Sequence, residues 1–123
     1  MAQRKRGGAR MNTKGRLVAC RDDRIAGFLE SKVPDDLASG RNIEIAYVYV
    51  EPQYRRQGIA TELIQLFFSQ HKNVIWITLW TSKECEVDGS SDLYKKLGFV
   101  EGTYLPDYYE SGIGTRHFAL RQN

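Results

Sequence analysis

Hydrophobic and polar positions alternate from Ile43 to Val50, with Ile43, Ile45, Tyr47 and Tyr49 on one side and Glu44, Ala46, Val48 and Val50 on the other. A period of two is that of a strand. Pro52, which has no N–H to give to a ladder, ends it. From Ile59 the period lengthens: Ile59, Leu63 and Phe67 stack on one helical face, Ala60, Ile64 and Phe68 lie beside them, and Thr61, Glu62, Gln65 and Ser69 fall outside. A helix therefore begins near Gly58. It stops at His71-Lys72-Asn73, where cationic side chains suit the negative end of the dipole and Asn accepts a left-handed cap, so His71 reads as a helix-end residue and not as a base.

Around this strand and helix the pattern is shorter-ranged. Leu17–Cys20 and Ile25–Leu29 are apolar runs flanking Arg21-Asp-Asp-Arg24, which predicts an antiparallel hairpin turning on the aspartates. Ser31–Arg41 holds Pro34, Asp35, Asp36, Ser39 and Gly40 and predicts a loop with room for one helical turn. Val74–Trp80 is apolar throughout, as in a strand covered on both faces in the middle of a sheet. Ser82–Asp92 is polar and acidic. Beyond it Leu93, Tyr94 and Leu97 mark a helix, with Asp88 or Ser90 as its N-cap and Gly98 closing its C-terminal side. Phe99–Leu105 and Gly114–Leu120 read as the last strands, joined through Pro106–Gly112. His117 alternates into the last of them with no partner nearby in sequence, which predicts a core or surface role.

A chain of 123 residues suits one domain, 16–123, behind a basic, glycine-rich, aperiodic tail, 1–15. The formal charge of +3 comes from the first sixteen residues, which hold no acid. Arg4, Lys5, Arg6, Arg10, Lys14 and Arg16 supply six of the 18 basic residues, and the other 12 stand against 15 acids, so Leu17–Asn123 carries net −3. A basic arm can neutralise phosphates, but without interleaved aromatics or a recognition motif a nucleic-acid partner is not expected. No apolar run nears the roughly 20 residues that span a bilayer, and there is no signal-peptide pattern, which points to a cytoplasmic protein and no membrane partner. Cys20 and Cys85 have no Cys-x-x-Cys or Cys/His spacing, so two reduced thiols and no metal site are expected.

The candidate chemistry sits where strand passes into helix. The first turn of a helix presents N–H groups and the positive end of the dipole, which together bind phosphate. Arg55, Arg56 and Gln57 add charge and donors there, and Gly58, lacking a Cβ, lets a pyrophosphate approach the backbone. By spacing alone an ordinary strand-to-helix turn with a glycine fits equally well.

These residues resemble the GCN5-related N-acetyltransferases (GNAT), whose Gln/Arg-x-x-Gly-x-Gly/Ala signature is matched by Arg55-Arg-Gln-Gly58-Ile-Ala60. Glu44 stands eight residues before Pro52, where many members carry an acid, and Leu93-Tyr94-Lys-Lys-Leu-Gly98-Phe99 is similar to the family's Leu-Tyr-x-x-x-Gly-Phe segment. The likeness runs over about Leu17–Leu120. Val87 and Ser90 depart from it, at positions often Asn and Ala. The resemblance implies an α/β (α+β) fold: a mixed, mostly antiparallel twisted sheet with a central, splayed parallel strand pair and flanking helices. Members usually have a strand and two helices before the hairpin that starts here at Leu17, so these are expected to be lacking.

The resemblance also implies acetyl-CoA as donor and a primary amine as acceptor, with no metal. The pyrophosphate would rest on Arg55, Arg56, Gln57, Gly58, Ile59, Ala60 and Thr61, and the pantetheine arm along Val48, Tyr49 and Val50 as a pseudo-strand partner. Six residues at about 3.3 Å each put Glu44 roughly 20 Å from Val50, comparable to an extended pantetheine. Glu44 would then deprotonate the ammonium, and Tyr94, a phenol, would hydrogen-bond or protonate the leaving sulfur. Glu84, Glu86, Asp88, Asp107 and Glu110 favour a small cationic acceptor, such as a polyamine or an aminoglycoside. Arg55–Thr61 and Leu93–Gly98 are also similar to aminoglycoside 3-N-acetyltransferases. A protein lysine or N-terminus is the competing acceptor, and Tyr108-Tyr109 is similar to aromatic pairs at acceptor sites of protein-acetylating members. A non-catalytic acyl-CoA-binding module is the alternative from another class. Loss of the usual leading elements would uncover a sheet face, which predicts a homodimer.

Overall fold

The computed structural model describes residues 7–11, 15–32, 41–81 and 90–122. They group into two compact units, one from Met1–Lys32 with Ile45–Lys72 and one from Val33–Glu44 with Asn73–Asn123.

The first unit contains β1 (Gly7–Met11), β2 (Arg16–Arg21), β3 (Arg24–Lys32), most of β4 (Asn42–Val50) and α1 (Ile59–Gln70). The hairpin expected around the aspartates is β2–β3, antiparallel, with Asp22 and Asp23 at φ 52° and 63°. Two positive φ values in a two-residue loop give the twist that antiparallel strands need. β1 corrects the sequence reading. Gly7–Met11, taken as part of a flexible arm, pairs antiparallel with β2 from Gly7↔Arg21 to Met11↔Leu17, so a strand does precede the hairpin. Its Gly-Gly-Ala-Arg-Met sequence has no apolar alternation to announce it, and the pairing is a matter of backbone hydrogen bonds.

α1 packs on β1, β2 and β3 and buries Ile59, Leu63, Ile64 and Phe67, the face that the helical period marked. Leu17, Ala19 and Leu29 on the strands are as fully buried. Each large apolar side chain so removed from water contributes about 1.5–3 kcal/mol, which is what holds α1 down. Its C-cap is His71, whose Nδ1 lies 3.0 Å from the Phe67 carbonyl and whose ring sits 4.3 Å from that of Phe67, the helix-end role expected of it.

The second unit holds the start of β4, β5 (Trp76–Thr81), α2 (Ser90–Lys96), β6 (Val100–Glu110) and β7 (Ile113–Arg121). The Arg41 carbonyl accepts from Ile75 and Trp76 N–H, setting β5 beside the start of β4, while β5 and β6 both pair antiparallel with β7. The strands make a mixed, mostly antiparallel sheet in which β4 and β5 are the parallel pair. Two expectations change here. β5 is not covered on both faces within this unit: Trp76 and Trp80 are half-exposed, the first under the Arg121 guanidinium and the second stacked on His117 at 4.4 Å. Pro106–Gly112 is not a loop, because β6 continues to Glu110 and turns on Ser111-Gly112. Pro106 is tolerated where the pairing is irregular, between Leu105 and Glu110, and Asp107 at φ 58° accepts the Gly112 N–H at 2.7 Å. Residues 33–40, most of the loop predicted over Ser31–Arg41, and residues 82–89, with Cys85, lie outside the described residues, while Ser31 and Lys32 belong to β3.

Candidate active site

The β4–α1 junction is built within the first unit. Gly27 lets β4 come close to β3, since a Cβ there would lie 2.6 Å from the Tyr49 carbonyl oxygen and 3.3 Å from Val50 Cα. The Glu51 N–H donates to the Ala26 carbonyl at 2.8 Å, carrying the pairing one residue past Val50. Phe28 on β3 sits 5.7 and 5.8 Å from the rings of Tyr47 and Tyr49, which confirms that those tyrosines share a face. Pro52–Tyr54 then makes a single 3-10 turn. Arg55 braces it: Nε donates to the Val50 carbonyl at 2.8 Å, and the guanidinium lies 5.8 Å from the Tyr49 ring.

Arg56 and Gly58 both take left-handed φ values, 64° and 78°, so the chain reverses tightly into α1. Gly58 is the N-cap and brings no side chain to cap the first-turn N–H groups. A Cβ built on Gly58 meets nothing within 4 Å. Arg56 and Gln57 are exposed beside it. Glu62 in the first turn puts an acid near this end, and Arg21 of β2 holds its carboxylate at 2.8 Å, offsetting that negative charge. A bare glycine N-cap, an open approach and an exposed arginine and glutamine fit a diphosphate.

Of the other candidate site residues, Glu44 lies near the start of β4, partly exposed, in the second unit. Tyr94 is in the same unit on α2, 9% exposed, with its ring 5.4 Å from Phe118 and 6.0 Å, edge-on, from Phe99. The end of α2 is a Schellman closure: the Phe99 N–H reaches back to the Tyr94 carbonyl at 3.0 Å, with Gly98 at φ 105° between them. The structure thus brings Val48–Val50 and Arg55–Thr61 together in one unit and assigns Glu44 and Tyr94 to the other.

The Acetyltransferase (GNAT) family profile matches residues 2–99, four-fifths of the chain, and the matched span contains both the junction and Tyr94. The chain belongs to the GNAT acetyltransferase family. Among curated GNAT relatives, [Ribosomal protein bS18]-alanine N-acetyltransferase of Salmonella typhimurium is 30% identical over 93 residues, 76% of this chain and 60% of that protein. The chain therefore spans about three-fifths of the length of that relative. N-alpha-acetyltransferase 30 of Schizosaccharomyces pombe is 29% identical over 109 residues, 87% of this chain and 71% of that one. The crystal structure of a GNAT family acetyltransferase from Elizabethkingia anophelis with acetyl-CoA bound superposes with a TM-score of 0.72 at 17% identity, covering 86% of this chain and 74% of that one. It shares the fold.

Within this GNAT chain, the sequence reading missed Gly27, Arg21 and Arg116. A lone glycine in the run Ile25–Leu29 is a signal of close backbone approach, and a lone cation inside the alternating strand Gly114–Leu120 signals a buried partner. Arg21 carries no such mark, because its link to Glu62 spans 41 residues.

Proposed function

We propose that this chain transfers the acetyl group of acetyl-CoA to a primary amine. The observation that carries the reading is the GNAT match over residues 2–99, which contains a strand-to-helix junction whose bare Gly58 fits a diphosphate. In this reading Arg56, Gln57 and the N–H groups of Gly58–Thr61 hold the pyrophosphate, Arg55 braces the turn beneath it, and backbone groups of Val48–Val50 pair with the pantetheine arm. Acetyl-CoA supplies an activated thioester. Glu44 takes a proton from the acceptor ammonium, the free amine forms the new N–C bond as the C–S bond breaks, Tyr94 gives its proton to the departing sulfur, and the proton that the new amide nitrogen sheds returns the phenolate to the phenol. No metal enters this scheme, and it needs a compartment that contains acetyl-CoA, for which we propose the cytoplasm.

The acceptor we favour is a peptide α-amino group. Two relatives near 30% identity support it: by name, one acts on an alanine of ribosomal protein bS18 and the other is an N-alpha-acetyltransferase. A small cationic amine is the second reading, favoured by Asp107 and Glu110 beside the exposed Tyr108–Tyr109 pair on β6. Competition between an alanine-initiated peptide and an aminoglycoside for one pool of acetyl-CoA, read by mass spectrometry, separates them. At least about tenfold higher kcat/KM on the peptide is expected; preference for the aminoglycoside reverses the assignment.

We also propose a homodimer. Half-exposed Trp76 and Trp80 and the 70% exposed Val100 support it, as an apolar group that a second copy would cover. Sedimentation at micromolar concentration should give twice 14.1 kDa, and a monodisperse monomer contradicts it.

A further inference from the structure

Arg116 is a buried cation on β7, 9% exposed, in a strand whose other side chains are small or apolar apart from His117 and, at its end, Arg121. One terminal nitrogen, Nη1, donates to the Ser91 hydroxyl at 2.8 Å. Its Nε lies 3.2 Å from Glu101 Oε2 on β6, an ion pair held by charge and proximity, with no hydrogen bond from that nitrogen. The other oxygen of Glu101 takes the Lys95 ammonium at 3.1 Å. Ser91 and Lys95 both belong to α2, one three residues before Tyr94 and the other directly after it. A chain of charge-assisted contacts therefore runs from helix to strand to strand and back to the helix.

The spacing makes these contacts a constraint on rotation. Arg116 and Phe118 are two apart on a strand and point to the same side, while Ser91 and Tyr94 are three apart on a helix and share a face. β7 thus grips α2 at two successive points, a polar one at Ser91 and an aromatic one at Tyr94, whose ring lies 5.4 Å from that of Phe118. Lys95, about 100° further round the helix, adds the third point through Glu101. A seven-residue helix is too short to hold its own geometry, so its orientation must come from such contacts.

We propose that Arg116, with Glu101 bridging it to Lys95, is a positioning residue that fixes the rotation of α2 and so aims the Tyr94 hydroxyl. This rests on the reading of Tyr94 as the proton donor to sulfur. A planar guanidinium serves two partners at once through separate nitrogens, which an ammonium on the same strand does not reproduce.

The test is a double-mutant cycle on the full chain with acetyl-CoA and the better acceptor. Arg116→Lys keeps the charge beside Glu101 and gives up the fork. It should lower kcat about tenfold while KM for acetyl-CoA stays within about twofold. In a Tyr94→Phe background the same substitution should change kcat less than about twofold, because the hydroxyl it aims is gone. A full tenfold fall in that background overturns the positioning role. If Tyr94→Phe alone leaves kcat unchanged, the proton-donor reading fails and the positioning role falls with it, so the single variant tells the two failures apart. Should Arg116→Lys not fold, Ser91→Ala, which removes one hydroxyl contact, enters the same cycle with an expected fall of about threefold and the same non-additivity.

Discussion

Replacing Gly58 by Trp separates the cradle from the fold. At φ 78° any L side chain is strained, by about 1–2 kcal/mol, while a Cβ there meets nothing within 4 Å, so backbone strain is the cost expected in the fold. For a chain of this size 1 kcal/mol corresponds to about 4 °C, and the variant should melt roughly 4–8 °C lower in the absence of ligand. Coenzyme A at 100 times its Kd stabilises a one-site protein by about 2.7 kcal/mol, a rise of about 10 °C. If the indole fills the space left for the diphosphate and raises Kd 100-fold, the same concentration yields only about 0.4 kcal/mol, under 2 °C. Gly112→Trp is the matched control: its φ is 85°, a Cβ there also meets nothing within 4 Å, and it lies in the β6–β7 turn. It should lose the same few degrees without ligand and keep the whole coenzyme A shift. Differential scanning fluorimetry with and without coenzyme A reads all of this. A Gly58→Trp protein that retains the full shift refutes the cradle, and equal loss in Gly112→Trp shows that strain alone was measured.

Tyr94→Phe should lower kcat about 10²-fold with KM for acetyl-CoA little changed, the signature of a group acting on the leaving sulfur; steady-state thiol release measures it, and a raised KM at constant kcat would mean a binding role. Glu44→Gln should be most impaired near neutral pH and recover as pH passes about 8, where a peptide α-amino group loses its proton unaided; a deficit that is flat with pH removes Glu44 as the base. Gly27→Ala places a methyl 2.6 Å from the Tyr49 carbonyl oxygen and 3.3 Å from Val50 Cα and Cγ2, backbone and a stiff β-branched side chain, so a loss of about 1–3 kcal/mol in chemical denaturation is expected. An unchanged midpoint would contradict the close approach of β3 and β4.

The parts of the fold that were legible in the sequence are those where one physical signal dominates. β4, the β2–β3 hairpin and α1 each carry a clean period or a turn whose chemistry permits a single backbone path. Gly98 likewise announced the end of α2, because the left-handed closure that returns Phe99 to Tyr94 needs a residue without Cβ. β1 was illegible, since Gly7–Met11 pairs through backbone and its side-chain pattern says nothing of a strand. The extension of β6 was hidden by Pro106 and Asp107, residues that ordinarily break strands and here sit where the pairing is irregular. At the candidate site the motif marks the β4–α1 junction, whereas the contacts that support that junction and α2 are non-local. Arg21 reaches Glu62, Gly27 makes room for Tyr49, and Arg116 ties α2 to β6 and β7, contacts that no window of sequence contains.

The central claim, that this chain catalyses acetyl transfer, is met most directly by one stoichiometric measurement. Incubate the 123-residue protein with acetyl-CoA and an alanine-initiated peptide, titrate released thiol, and quantify acetylated peptide by mass spectrometry in the same samples. The account predicts multiple turnovers with thiol and acetylated peptide rising one to one, and with release falling about 10²-fold in Tyr94→Phe. Saturable binding of acetyl-CoA with no turnover on this peptide, on aminoglycosides or on polyamines would contradict it and leave an acyl-CoA-binding module.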